Sequence, residues 1–176
     1  MITPSDMPSE PPDTLTDPRE LLTGYLDYYR SALLRKLEGF PEDRLRAAVL
    51  PSGWTPLELF KHLTYVEIRW LQWGFMAEDV GDPWGDRGPG GRPENPWKVG
   101  EDETLDGLKA LAAETWERSR RIVASASLDE AAKPGERFQD EPASLIWILF
   151  HLLQEYARHL GHLDVVRELA DGAVGE

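Results

Sequence analysis

The chain has 176 residues and a mass of 19.9 kDa, the size of one domain with room for a real core. Its 19 Lys and Arg against 32 Asp and Glu leave a formal charge of −13 without a basic stripe, which excludes nucleic acid as an expected partner. Cysteine is absent, so disulfides, thiolate metal sites and a cysteine nucleophile are excluded together.

No apolar run approaches the ~18 residues that span a bilayer. The opening residues carry neither a basic n-region nor an apolar h-region. A cytoplasmic protein without a membrane partner is therefore expected. Residues 1–16 are rich in proline and poor in large apolar side chains, and are expected to form a flexible arm. Asp17 then offers an N-cap before Pro18, and Leu21, Leu22, Tyr25, Leu26, Tyr29, Leu33 and Leu34 recur at helical spacing. This pattern predicts a first helix over about 18–37, closed by Gly39. A short turn of helix is expected around 42–49, before Pro51-Ser52-Gly53.

Thr55-Pro56-Leu57-Glu58 reads as a capping box with proline at its first helical position. Leu59, His62, Leu63, Val66, Trp70 and Trp73 come after it at intervals of three and four, predicting a second long helix over about 56–77. Residues 81–97, GDPWGDRGPGGRPENPW, are too rich in glycine and proline for regular structure. They are expected to be the most mobile stretch after the arm. Gly88-Pro89-Gly90-Gly91 fits no phosphate-cradling pattern and reads as a flexible crossover. Leu105, Leu108, Leu111, Ala112, Trp116 and Ile122 predict a third long helix over about 104–125. Ser144 is placed to cap a fourth over 145–170, stopped by Asp171-Gly172.

No segment alternates with the period of a strand. The expected fold is all-α, a four-helix bundle forming a single domain over 17–172 with a tail at 173–176. The connection between the second and third long helices, at up to ~3.3 Å per residue, is long enough to retrace a helix of ~33 Å. The expected topology therefore has one long crossover, with those two helices running the same way.

Only four histidines occur, at 62, 151, 159 and 162, and three of them fall on the last helix. The inward stripe there reads Ile148, Leu152, Glu155, His159, Leu163 and Val166, which puts a carboxylate and an imidazole one turn apart inside an apolar face. His62 holds a similar place on the second long helix. A buried carboxylate costs several kcal/mol unless it is paired or bound to a cation. His62, Glu155 and His159 are thus the candidate metal ligands. Two imidazoles and one carboxylate suit zinc first, with iron(II) or nickel as alternatives. The competing account is a pair of neutral core histidines satisfied by Glu155 or by backbone carbonyls.

Neither HExxH nor a Glu-x-x-His pair is present, which points to a mononuclear centre. His151 and His162 are outer-sphere donors or structural residues, and Glu58 is the capping partner of Thr55. Seven tryptophans occur; Trp70, Trp73, Trp84, Trp97 and Trp147 either pack a small core or form a wall for a flat, apolar substrate.

Trp54-Thr55-Pro56 with His62-Leu63, and the run from His151 through Glu155, His159, Gly161, His162 and Asp164 to Glu168, resemble the DinB-like superfamily, close to an actinobacterial branch. The likeness spans about residues 17–172. It implies a four-helix bundle with a long crossover and a zinc or nickel ion held by one residue of the second helix and two of the fourth. Many members have histidine at all three places. Glu155 stands where the middle histidine often is, and in this the chain is similar to mycothiol-dependent maleylpyruvate isomerase, a zinc member with an additional C-terminal domain that is not expected here. The resemblance further implies a low-molecular-weight thiol, such as mycothiol or bacillithiol, as cosubstrate for S-transfer or isomerisation of a small electrophile. No separate catalytic acid or base is identified; Glu58, His151 and His162 are within reach. The alternative function is a non-catalytic bundle that binds a metal or small molecule, or pairs as a homodimer through a helical face.

Overall fold

A computed structural model describes residues 9–81 and 98–174. The expected mobile loop, apart from Gly81, lies outside the described residues, as do half of the expected arm, Trp84, Trp97 and the end of the tail. Among the described residues the chain is all-helical. Helix α1 spans Pro18–Leu37, α2 Glu42–Leu45, α3 Pro56–Glu67, α4 Leu105–Ser125 and α5 Leu145–Asp171, and a π-helical stretch Ile68–Phe75 continues directly from α3. No helix is long and apolar enough to cross a membrane. The structure divides into two compact units, Met1–Leu59 with Leu152–Glu176, and Phe60–His151.

The caps explain the boundaries. Asp17 accepts the Glu20 N–H at 2.9 Å, satisfying one of the orphan donors at the start of α1. Gly39 takes a positive φ of 67° just beyond its end. Thr104 accepts the Gly107 N–H at 3.1 Å to open α4. Gly172, at φ 78°, donates to the Glu168 carbonyl at 2.9 Å to close α5. The predicted turn of helix at 42–49 is only the single turn Glu42–Leu45.

In the first unit, α5 is fastened to the end of α1. The Arg167 Nη1 donates to the carbonyls of Lys36 at 2.5 Å and Glu38 at 2.9 Å, covering negative ends of α1 that would otherwise lack donors. Its guanidinium lies 5.0 Å from the Phe40 ring, and Lys36 pairs with Asp164. Pro11 packs on α1 where Gly24 leaves room: a Cβ there would meet the proline ring at 2.8 Å.

In the second unit the structure departs from the predicted continuous helix over 56–77. After Glu67 the backbone widens, and the Met76 N–H reaches back five residues to the Leu71 carbonyl at 3.0 Å. Packing with the segment before α5 accompanies this change. A Cβ on Gly74 would lie 3.0 Å from the Arg69 carbonyl oxygen, 3.1 Å from Arg137 Cδ and 3.2 Å from Phe138 Cε2. The Phe75 carbonyl is taken by the Lys133 N–H at 2.8 Å. Ala77 then turns the chain at φ 55°. An alanine inside an ordinary helix outranks glycine by ~1 kcal/mol. Gly74→Ala is expected to do the opposite, lowering the unfolding free energy by about 1–3 kcal/mol as Arg137 and Phe138 are displaced. Urea unfolding measures this, and a stabilised variant would contradict the packing described.

The interior of the second unit also differs from a one-sided amphipathic helix. Every residue from Phe60 to Arg69 is buried, including Lys61, Glu67 and Arg69. Lys61 is satisfied by the Lys98 carbonyl at 2.9 Å and Glu103 Oε2 at 2.7 Å. Burial first, and then the Glu103 carboxylate, push the Tyr65 phenol above its ordinary value.

Candidate metal centre

Glu155 and His159 both belong to α5 and to the first unit, one helical turn apart. Their side chains meet, with Glu155 Oε2 3.3 Å from His159 Nε2, and both are largely buried. An i, i+4 separation on a helix puts the two groups one above the other on a single face. A third residue completes the setting. The Trp54 indole lies over the His159 imidazole with centroids 5.9 Å apart and planes inclined by 23°. The backbone beside Trp54 is fixed by the start of α3. The Thr55 N–H donates to Glu58 Oε2 at 3.0 Å and the Glu58 N–H donates to Thr55 Oγ1 at 3.2 Å, the reciprocal capping box that the sequence predicts. Glu58 is thereby engaged as a cap.

Trp54 was legible only as part of the Trp-Thr-Pro run. Its contact with His159 joins residues 105 positions apart in the chain, which no local periodicity reports. His162 is exposed and stands one ring away from His159, at 6.2 Å between centroids.

His62 belongs to the second unit. It is buried on α3, as are Phe60, Leu63 and Val66 of the same helix. His151 has different company: its ring stacks on Trp147 at 5.4 Å with planes 6° apart, and Trp70 lies 4.2 Å away. The Arg137 guanidinium covers the Trp70 ring at 3.9 Å and reaches Trp73 at 5.6 Å. Of the predicted aromatic wall, Trp70, Trp73 and Trp147 thus surround a cation and an imidazole. Arg137 carries no sequence signal for this role, because it sits in the irregular segment before α5.

A chain that is all-helical among its described residues, with a mostly buried carboxylate–imidazole pair on α5, falls in a class of helical proteins with a candidate metal-binding face. Residues 21–172 match the model of the mycothiol-S-transferase family, and the chain belongs to that family. This agrees with the DinB-like resemblance of its sequence. Comparison with curated proteins gives no match.

Proposed function

We propose that the chain is a metal-dependent S-transferase for a low-molecular-weight thiol of the mycothiol type, with His62, Glu155 and His159 holding one divalent ion, zinc before nickel or iron. The observation that carries this proposal is the Glu155–His159 pair in a chain of this family. The donor chemistry supports it. Glu155 and His159 offer a carboxylate and an imidazole one turn apart, and two imidazoles with one carboxylate, the set proposed here, leave coordination positions open in catalytic zinc sites. In the same proposal α1, α3 with its π continuation, α4 and α5 are the four helices of one cytoplasmic bundle domain over 17–172, and the stretch between the π segment and α4 is its crossover.

A divalent ion, when bound, supplies the Lewis acidity that brings the pKa of a thiol down toward neutrality. The chain's own residues do the rest. Trp54, stacked on the His159 ring, holds it in one orientation, limiting the reorganisation required of that ligand. Because the protein has no cysteine, the thiol sulfur must come from the cosubstrate. That sulfur forms a C–S bond with the electrophilic carbon, its proton passes to solvent, and the leaving group departs with the electron pair.

The test is metal content of protein purified without added metal, together with thiol conjugation of a chromogenic chloronitrobenzene before and after treatment with a chelator. About one equivalent of metal and turnover lost on chelation are expected. Protein without metal, or turnover indifferent to the chelator, would overturn metal dependence. Stoichiometric metal without turnover would favour the non-catalytic alternative.

A further inference from the structure

Within the first unit, a cavity of about 240 Å³ lies between the end of α1 and the end of α5. Arg35 and Lys36 of α1 and Asp164 and Arg167 of α5 supply its polar walls, and Ala173 and Val174 line it as well. Gly172 turns the chain at φ 78°, and the Ala173 N–H donates to Asp171 Oδ1 at 3.0 Å, which fixes the tail beyond α5. A chain with a formal charge of −13 thus gathers three cationic side chains around one small space.

Basic residues in the last turn of a helix ordinarily offset its dipole, and this accounts for Arg35 and Lys36 on α1. It does not account for the donors left over on Arg167. The Arg167 Nε donates to Asp171 Oδ2 at 2.8 Å, and Nη1 donates to the Lys36 and Glu38 carbonyls at 2.5 and 2.9 Å. These bonds pin the guanidinium, while Nη2, which carries two of its five donors, makes no bond among the described residues. The Lys36 ammonium pairs with Asp164 and has three donors to offer. Both side chains are largely covered, with 16% of Lys36 and 17% of Arg167 exposed. Their charges therefore attract an anion more strongly than charges in open water would.

Asp164 on the wall and Asp171 beside Arg167 offset two of the three positive charges. One remains, beside a planar fork already held in place, and that combination suits a single oxyanion. The volume falls below the ~300–1,000 Å³ of pockets for drug-sized ligands, which restricts the occupant to a small one. We infer that this cavity is a binding site for a small oxyanion, a phosphate or a short carboxylate, held by Arg35, Lys36 and Arg167. The anion ties α1 to the part of α5 that carries Glu155 and His159. The site does not depend on the metal or on the thiol chemistry proposed above.

Inorganic phosphate and succinate are the probes, each set against sodium chloride of equal ionic strength. For a Kd of about 1 mM, about 10 mM of the anion should raise the melting temperature by roughly 2–5 °C over chloride. Equilibrium dialysis should give about one anion per chain, and the probe with the larger shift identifies the class. Arg35→Gln, which leaves the Arg167 bonds in place, should weaken binding about tenfold. Asp164→Asn should strengthen it several-fold, because the carboxylate that competes for Lys36 is gone. Glu155→Gln should bind the anion as the parent protein does, which separates this site from the proposed metal centre. Shifts no larger than those of chloride with both probes, undiminished binding in Arg35→Gln, weaker binding in Asp164→Asn, or loss of binding in Glu155→Gln would each overturn the inference.

Discussion

Glu155→Gln should abolish the response of the melting temperature to a chelator. If Glu155 is a metal ligand, its charge is offset by the ion, and a neutral amide of the same volume weakens metal binding while removing a largely buried charge. The metal-free variant should then be at least as stable as the metal-free parent protein. If Glu155 serves only as the hydrogen-bond partner of His159, the substitution loses a charge-assisted bond worth about 1.5–3 kcal/mol, with or without metal. Thermal melts of both proteins with and without chelator separate the outcomes. A parent melt that ignores the chelator, together with a clear loss in the variant, would refute the metal centre and the thiol transfer that depends on it.

Phe60→Ala should lower the unfolding free energy by about 3–5 kcal/mol, a large part of the 5–15 kcal/mol typical of a domain. The ring is fully buried on α3, two residues before His62. Neighbours on every side of this helix are buried too, so the vacated volume has no solvent-facing route to collapse. The helix itself should persist, since the Thr55–Glu58 box and the Thr64 hydroxyl bond to the Phe60 carbonyl at 3.0 Å do not involve the ring. Phe60→Leu, which keeps most of the volume, should cost less than about 1.5 kcal/mol. Denaturant titrations of the pair measure both values, and a loss under about 1 kcal/mol in the alanine variant would mean that the core closes around the gap.

The sequence alone determined the features that rest on neighbours in the chain. Asp17 with Pro18 and Gly39 marks both ends of α1. The Thr55–Glu58 box opens α3, and Glu155 and His159 meet because helix geometry brings i and i+4 together. Tertiary structure decided the rest. Apolar spacing cannot distinguish a fourth-residue from a fifth-residue hydrogen bond, so the π stretch at Ile68–Phe75 became visible only with Arg137 and Phe138 packed against Gly74. Lys61 reads as a solvent-facing charge, yet it is buried because the Lys98 carbonyl and Glu103, some forty residues away, satisfy its ammonium. Trp54 over His159 and Trp70 against His151 likewise join distant parts of the chain. Caps and one-turn pairs are fixed by bonds a few residues long, whereas burial and ring stacking depend on which distant segments come to lie side by side.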